Sequence, residues 1–149
     1  KLDLSDIPHP QSKRVAAAVC TADKGTVYVG FTAEAAVWAF TPDTDNKLLN
    51  GAPYAPLRVR KAYDNSNQAR DNLTTDPPRL AVTVLSLDSA GRLYAATEQD
   101  LQVFDPTGRP CGVLPKVDKT QPLTTCVLGG PDHSVLYIAH GTAIYSRKL

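Results

Sequence analysis

The sequence predicts an all-β chain, a partial β-propeller of about three four-stranded antiparallel blades that amounts to half of a six-bladed ring. Three observations predict it. A strand–turn–strand unit recurs three times, and its turns pair Asp with Gly or Ser. The runs flanking those turns alternate aliphatic and aromatic residues that suit a pleated, half-buried surface. Tyr94 and Tyr137 lie 43 residues apart, inside the spacing of roughly 40 to 50 that propeller blades show.

The first unit reads Asp23-Lys24-Gly25-Thr26-Val27-Tyr28-Val29-Gly30 and continues at Ala36-Val37-Trp38-Ala39-Phe40. The second reads Asp88-Ser89-Ala90-Gly91-Arg92-Leu93-Tyr94-Ala95-Ala96 and continues at Leu101-Gln102-Val103-Phe104-Asp105. The third reads Asp132-His133-Ser134-Val135-Leu136-Tyr137-Ile138-Ala139 and continues at Thr142-Ala143-Ile144-Tyr145-Ser146. An apolar strand precedes each turn, at 14–20, 80–87 and 124–128, and a fourth strand at 110–114 follows the Asp105-Pro106-Thr107-Gly108 turn. The blades are expected at about 12–63, 80–117 and 120–149, all within one domain of residues 1–149. Tyr28 and Tyr94 are 66 residues apart, and the excess predicts an inserted polar loop at 41–79, rich in Asp, Asn and Pro, with a candidate strand at 57–62. Residues 33–40 are Ala-rich, yet their place in the repeat assigns them to a strand, so helical content should be near nil.

Composition excludes several function classes. Lys plus Arg is 16 against 15 Asp plus Glu, which leaves no excess charge for nucleic acid or an anionic membrane surface. No apolar run approaches the roughly 20 residues of a membrane helix. The sequence begins with Lys1 and shows no basic-then-apolar leader, so it reads as a processed or excised part of a longer product, with no indication of localisation. Cys20, Cys111 and Cys126 are odd in number and lack C-x-x-C spacing. They are expected as buried free thiols rather than as a disulfide framework or zinc site. Asn72-Leu73-Thr74 is a glycosylation sequon in a polar stretch.

Residues 85–149 resemble the C-terminal part of the gluconolactonase and senescence-marker-protein family of six-bladed propellers. The resemblance is carried by Leu85-Ser86-Leu87-Asp88-Ser89-Ala90-Gly91-Arg92-Leu93-Tyr94, by Leu101-Gln102-Val103-Phe104-Asp105-Pro106-Thr107-Gly108-Arg109, and by Thr124-Thr125-Cys126-Val127-Leu128-Gly129-Gly130-Pro131-Asp132 before Leu136-Tyr137. It implies a divalent-cation-dependent lactone hydrolase with one metal, usually calcium, at the top of the central channel, held by a Glu, an Asn and an Asp. Two departures stand out. Where the family has Pro-Asp-Gly this sequence has Val82-Thr83-Val84, and where the family often has Thr-Asn before Cys it has Thr124-Thr125. A neutral hydroxyl at Thr83 neither offsets the desolvation of a hard cation nor accepts a proton from water near neutral pH. Glu34, read as a strand residue, and Glu98, read as a turn residue, do not match the family's metal-binding Glu.

No catalytic residue and no cofactor is therefore assigned within this chain, although calcium or another divalent cation would fit a completed ring. Thr83, Thr125 and His140 are the channel-mouth candidates. His140 precedes Gly141 at the break between two strands, where a surface turn is the plainer reading, and His9 and His133 have no ligand spacing. The oxygen-rich run Asp64-Asn65-Ser66-Asn67-Gln68-Ala69-Arg70-Asp71-Asn72 lacks the spacing of a calcium loop, and Arg58, Arg60 and Lys61 read as a solvated basic face. The recurring aromatics read as packing between blades.

Three blades do not close a ring, so their flanks need cover from a second copy of the chain or from the remaining blades. Leu2, Leu4 and Ile7 offer a strand that completes a blade within the chain or across subunits. The expected function is a binding or structural part of a larger propeller, with a small-molecule ligand or partner at the channel mouth. The alternative is one part of a divalent-metal-dependent lactone hydrolase completed by other blades or another chain, a lactonase-type ester hydrolase.

Overall fold

The computed structural model describes residues 15–21, 25–32, 34–58, 82–121 and 123–149. Three antiparallel sheets follow one another along the chain. The first sheet is β1 (Val15–Cys20), β2 (Val27–Phe31), β3 (Ala36–Pro42) and β4 (Leu48–Pro56), in that order. The second is β5 (Val82–Leu87), β6 (Leu93–Thr97), β7 (Asp100–Phe104) and β8 (Pro110–Pro115). Among the described residues the third has three strands: β9 (Leu123–Gly129), β10 (Val135–His140) and β11 (Ala143–Lys148). The described residues contain no α-helix, only a short 3-10 turn at Pro131–His133.

Strand register makes the repeat exact at the level of single residues. Tyr28, Tyr94 and Tyr137 lie opposite Val19, Ser86 and Val127, at the same place in each sheet. The first strands, β1, β5 and β9, are packed side by side, so they form the inner edge of the stack and the later strands fan outward. Tyr28, Val37, Ala55, Leu57, Val82, Leu85, Leu93, Ala95 and Phe104 make the core between the first and second sheets. Tyr94, Leu101, Leu123, Cys126 and Leu136 are among the residues that make the core between the second and third. Removing these apolar surfaces from water is what binds one sheet to the next.

One turn chemistry is used three times. The Asp43, Asp88 and Asp105 carboxylates each accept backbone N–H groups two and four residues on, at 2.8–3.0 Å. The residue three positions on is left-handed in each, at φ 59° for Asn46, 77° for Gly91 and 82° for Gly108. Asx turns of this kind hold a hairpin without help from the core. The Asp43 turn introduces β4, which lies in the first half of the stretch expected to be an inserted loop. Leu57 and Arg58 lie outside any strand, and the rest of the 57–62 candidate falls outside the described residues. So do Leu2, Leu4, Ile7, His9, Arg60, Lys61, the 64–72 cluster and the sequon.

Asp88 also ties its turn to the core, accepting hydrogen bonds from Arg92 Nε and, at 3.2 Å, from the buried Tyr94 hydroxyl. Burial first, and then the nearby carboxylate, push the Tyr94 phenol up to about 12. A phenol whose pKa is raised by folding stabilises the fold while it is protonated. Its contribution is complete below the unfolded value of about 10 and is lost as pH rises from there toward the folded value. The stability gap between wild type and Tyr94→Phe is therefore expected to narrow between about pH 9.5 and 11.5, as read by urea unfolding; a constant gap would contradict it.

Candidate functional site

The start of each first strand and the turn between the second and third strands share one end of a sheet, because Val15, Val82 and Leu123 lie opposite Phe31, Thr97 and His140. At that end every first strand carries a β-bulge. The residues skipped by the pairing are Ala16, Thr83 and Thr124. Bulges re-aim a side chain at the rim of a sheet, and here they do so at three equivalent positions.

Thr83 Oγ1 lies 3.3 Å from Ala96 O within its own sheet and 3.3 Å from Leu123 O of the next. Its single proton serves one carbonyl at a time, so the hydroxyl ties two sheets together. Thr124 repeats the first half of this arrangement, donating to Ala139 O at 3.2 Å. By register, Thr124 is the counterpart of Thr83. Thr125 pairs with Ala139 and projects from the opposite face of the sheet to His140, so Thr83, Thr125 and His140 share an end of the fold without converging on one point.

His140 is not in a surface turn. It closes β10, is 3% exposed, and meets the Tyr145 ring edge-on at 5.7 Å. Its buried Nδ1 has no hydrogen-bond partner among the described residues. His133 is exposed, as a turn residue should be. Glu34 lies in the turn before β3 rather than inside a strand, and Glu98 is in an exposed turn. Cys126 is a buried free thiol, pushed up to about 11 by desolvation. Cys111, expected to be buried, is an exposed free thiol because β8 is the outer strand of its sheet.

A buried polar cluster at the same end was not singled out in the sequence. Asp100 N–H and Gln99 N–H donate to Thr97 Oγ1 at 3.1 and 3.2 Å, and Thr97 Oγ1 donates to Asp100 O at 2.9 Å. Gln102 Nε2 donates to Asp100 Oδ1 at 3.0 Å and to Arg58 O at 2.9 Å, while Arg58 N–H donates to Gln102 Oε1 at 2.8 Å. One side-chain amide therefore pairs with a main chain as a neighbouring strand would. Leu57 N–H donates to Ala35 O at 2.9 Å, so the chain leaving β4 is held by the first and second sheets together. The polar residues Thr97, Asp100 and Gln102 are buried because each is satisfied there.

The residues present do not fit a calcium ion at the Thr83 position. The hydroxyl donates toward main-chain carbonyls, and a hard cation requires oxygen lone pairs and carboxylate charge. Among the described residues no three His, Cys, Asp or Glu side chains gather into a group that could hold a metal.

Three stacked antiparallel sheets with their first strands innermost define a segment of a β-propeller. No protein-family model matches the sequence, and no curated protein is significantly similar to it. Solved structures are similar. A gluconolactonase from Xanthomonas campestris matches with TM-score 0.63 and 18% identity, over 89% of this chain and 36% of that one. A structural-genomics target grouped with the gluconolactonases matches with TM-score 0.64 and 14% identity, over 93% and 39%. A luciferin-regenerating enzyme matches with TM-score 0.53 and 17% identity, over 83% and 36%. The fold is that of the gluconolactonase-type propellers, and the chain spans little more than a third of the length of these three.

Proposed function

We propose that the chain is a binding or structural part of a larger gluconolactonase-like propeller, and that it does not hydrolyse lactones by a metal-dependent route with its own residues. What supports this reading is the position of Thr83, where the resemblance expects a carboxylate. Its hydroxyl binds the first strand of one sheet to that of the next, a task for which a carboxylate, an acceptor facing two carbonyls, is unsuited.

The test is to dialyse the purified chain against calcium, measure bound metal by mass spectrometry, and follow glucono-δ-lactone hydrolysis by acid release. Neither stoichiometric calcium nor hydrolysis above the uncatalysed rate is expected. Finding both together in the isolated chain would overturn the proposal in favour of a working lactonase.

A further inference from the structure

The repeat allows each surface position to be compared with its own counterparts. Toward the following sheet, the first sheet presents Val19, Tyr28 and Val37, the second Ser86, Tyr94 and Leu101, and the third Val127, Tyr137 and Ile144. The next sheet covers the first two sets. Tyr28 is 7% exposed and Tyr94 2%, while Val37 and Leu101 are both at 0%. In the third set Tyr137 is 37% exposed, Val127 52% and Ile144 76%. An apolar face with this pattern is a docking surface that the chain has filled twice and left open once.

We propose that the Val127–Tyr137–Ile144 face receives a further propeller blade from outside the 149 residues, seated as the third sheet is seated on the second. The inference rests on the reading of the chain as part of a larger propeller, and not on the absence of lactone hydrolysis. The two filled interfaces specify the occupant. Each incoming sheet presents an apolar patch, Val82, Leu85 and Leu93 in one case and Leu123, Cys126 and Leu136 in the other, with one buried polar side chain beside it, Gln102 and His140 respectively. At the second interface Ser86 Oγ donates to Cys126 O at 2.8 Å. Its counterparts Val19 and Val127 are both aliphatic, so the open face matches the wholly apolar inner seam of the first interface. Thr124, like Thr83, stands where its hydroxyl can also meet a carbonyl of the incoming first strand.

A second copy of this chain does not supply that side. Its first sheet would have to offer Val29, Phe31, Phe40 and Leu48, which are already between 2% and 5% exposed. Its other two sheets have their corresponding sides spent within the chain.

The experiment compares hydroxyl-radical oxidation of Tyr137 in the protein isolated from the cells that make it with oxidation in the recombinant 149-residue chain. Amine-reactive cross-linking from Lys148, on the same face, identifies the neighbour. Tyr137 is expected to be oxidised in the recombinant chain and protected to the level of Tyr94 in the native material, with Lys148 joined to a strand–turn–strand segment outside this sequence. Equal oxidation in both samples overturns the proposal. So does protection accompanied by cross-links to another copy of this chain or to a helical segment. Ile144→Glu keeps the test independent of folding, because a side chain so exposed contributes little to the chain's own stability. The variant should leave the recombinant chain's unfolding midpoint unchanged and restore Tyr137 oxidation in the native material; persistent protection would also overturn the proposal.

Discussion

Replacing Gly108 by Ala is expected to destabilise the chain by about 3 kcal/mol, whereas the same change at Gly91 should cost only about 1 kcal/mol. Both glycines close the same Asx turn with a left-handed backbone, at φ 82° and 77°. They share the conformational cost of a Cβ at positive φ, of the order of 1 kcal/mol. Their surroundings differ. A Cβ on Gly91 would meet only the Pro106 side chain at 3.5 Å, an ordinary contact. A Cβ on Gly108 would lie 2.3 Å from the Tyr54 carbonyl oxygen, a backbone atom that cannot swing aside.

The turn at Gly108 is where the outer strand of the first sheet meets the second. Tyr54 Oη donates to Asp105 O at 3.4 Å, and the Tyr54 ring packs on Tyr28 at 4.7 Å. Relieving the clash would move Tyr54 away from both. Urea unfolding of the two variants under the same conditions isolates the contact between sheets from the shared backbone cost. Equal losses would mean that the approach of Gly108 to Tyr54 does not support the interface.

What the sequence revealed and what it hid follow from the same physics. The equivalence of Tyr28, Tyr94 and Tyr137 was legible because tight turns and period-two alternation are local signals, and pairing opposite Val19, Ser86 and Val127 confirms it. β4 was hidden by its composition. Asn50, Gly51, Pro53 and Pro56 argue against an interior strand, but an outer strand tolerates them, because prolines there need not donate to a further neighbour. Gly51 is even required, since a Cβ there would lie 2.3 Å from the Phe40 ring. The available signal was Asp43-Thr44-Asp45-Asn46-Lys47, which has the Asp-x-x-Gly/Asn-basic form of the two turns that were recognised.

Burial of single polar residues was less legible. His140 occupies the place of Phe31 and Thr97, a buried position in all three sheets, yet its neighbour Gly141 suggested a surface turn. Thr124 and Thr125 could not be told apart without the bulge that skips one of them, because bulges leave no compositional mark in these strands. The departure at Thr83 was legible as chemistry but not as geometry: only the fold brings Leu123 O, 40 residues away, within reach of its hydroxyl.

The largest expected effect at the buried polar cluster comes from Gln102. Gln102→Leu keeps the volume and removes every hydrogen bond the side chain makes, leaving Arg58 N–H, Arg58 O and one interaction of Asp100 Oδ1 to find other partners. At about 1–3 kcal/mol for each buried polar group left unsatisfied, and with Arg58 close enough to solvent for partial recovery, the loss should be about 3 kcal/mol. Gln102→Glu distinguishes lost packing from lost hydrogen bonding. Its carboxylate can still accept from Arg58 N–H, but it faces Asp100 Oδ1 and Arg58 O with lone pairs where an N–H₂ group donates in the wild type. Burial and the neighbouring acceptors favour the protonated acid, so folding should raise the pKa of the introduced carboxyl above its unfolded value. Stability from such a group is present below the unfolded pKa and is lost as pH rises through the folded one. The Gln102→Glu variant should therefore approach wild type as pH falls from 7 toward about 4.5, while the deficit of Gln102→Leu stays nearly constant. If the Gln102→Glu deficit failed to shrink across that range, the introduced carboxyl would not be held against Asp100 Oδ1 and Arg58 O; if Gln102→Leu showed no deficit at all, the attachment of Arg58 to the second sheet would contribute nothing measurable.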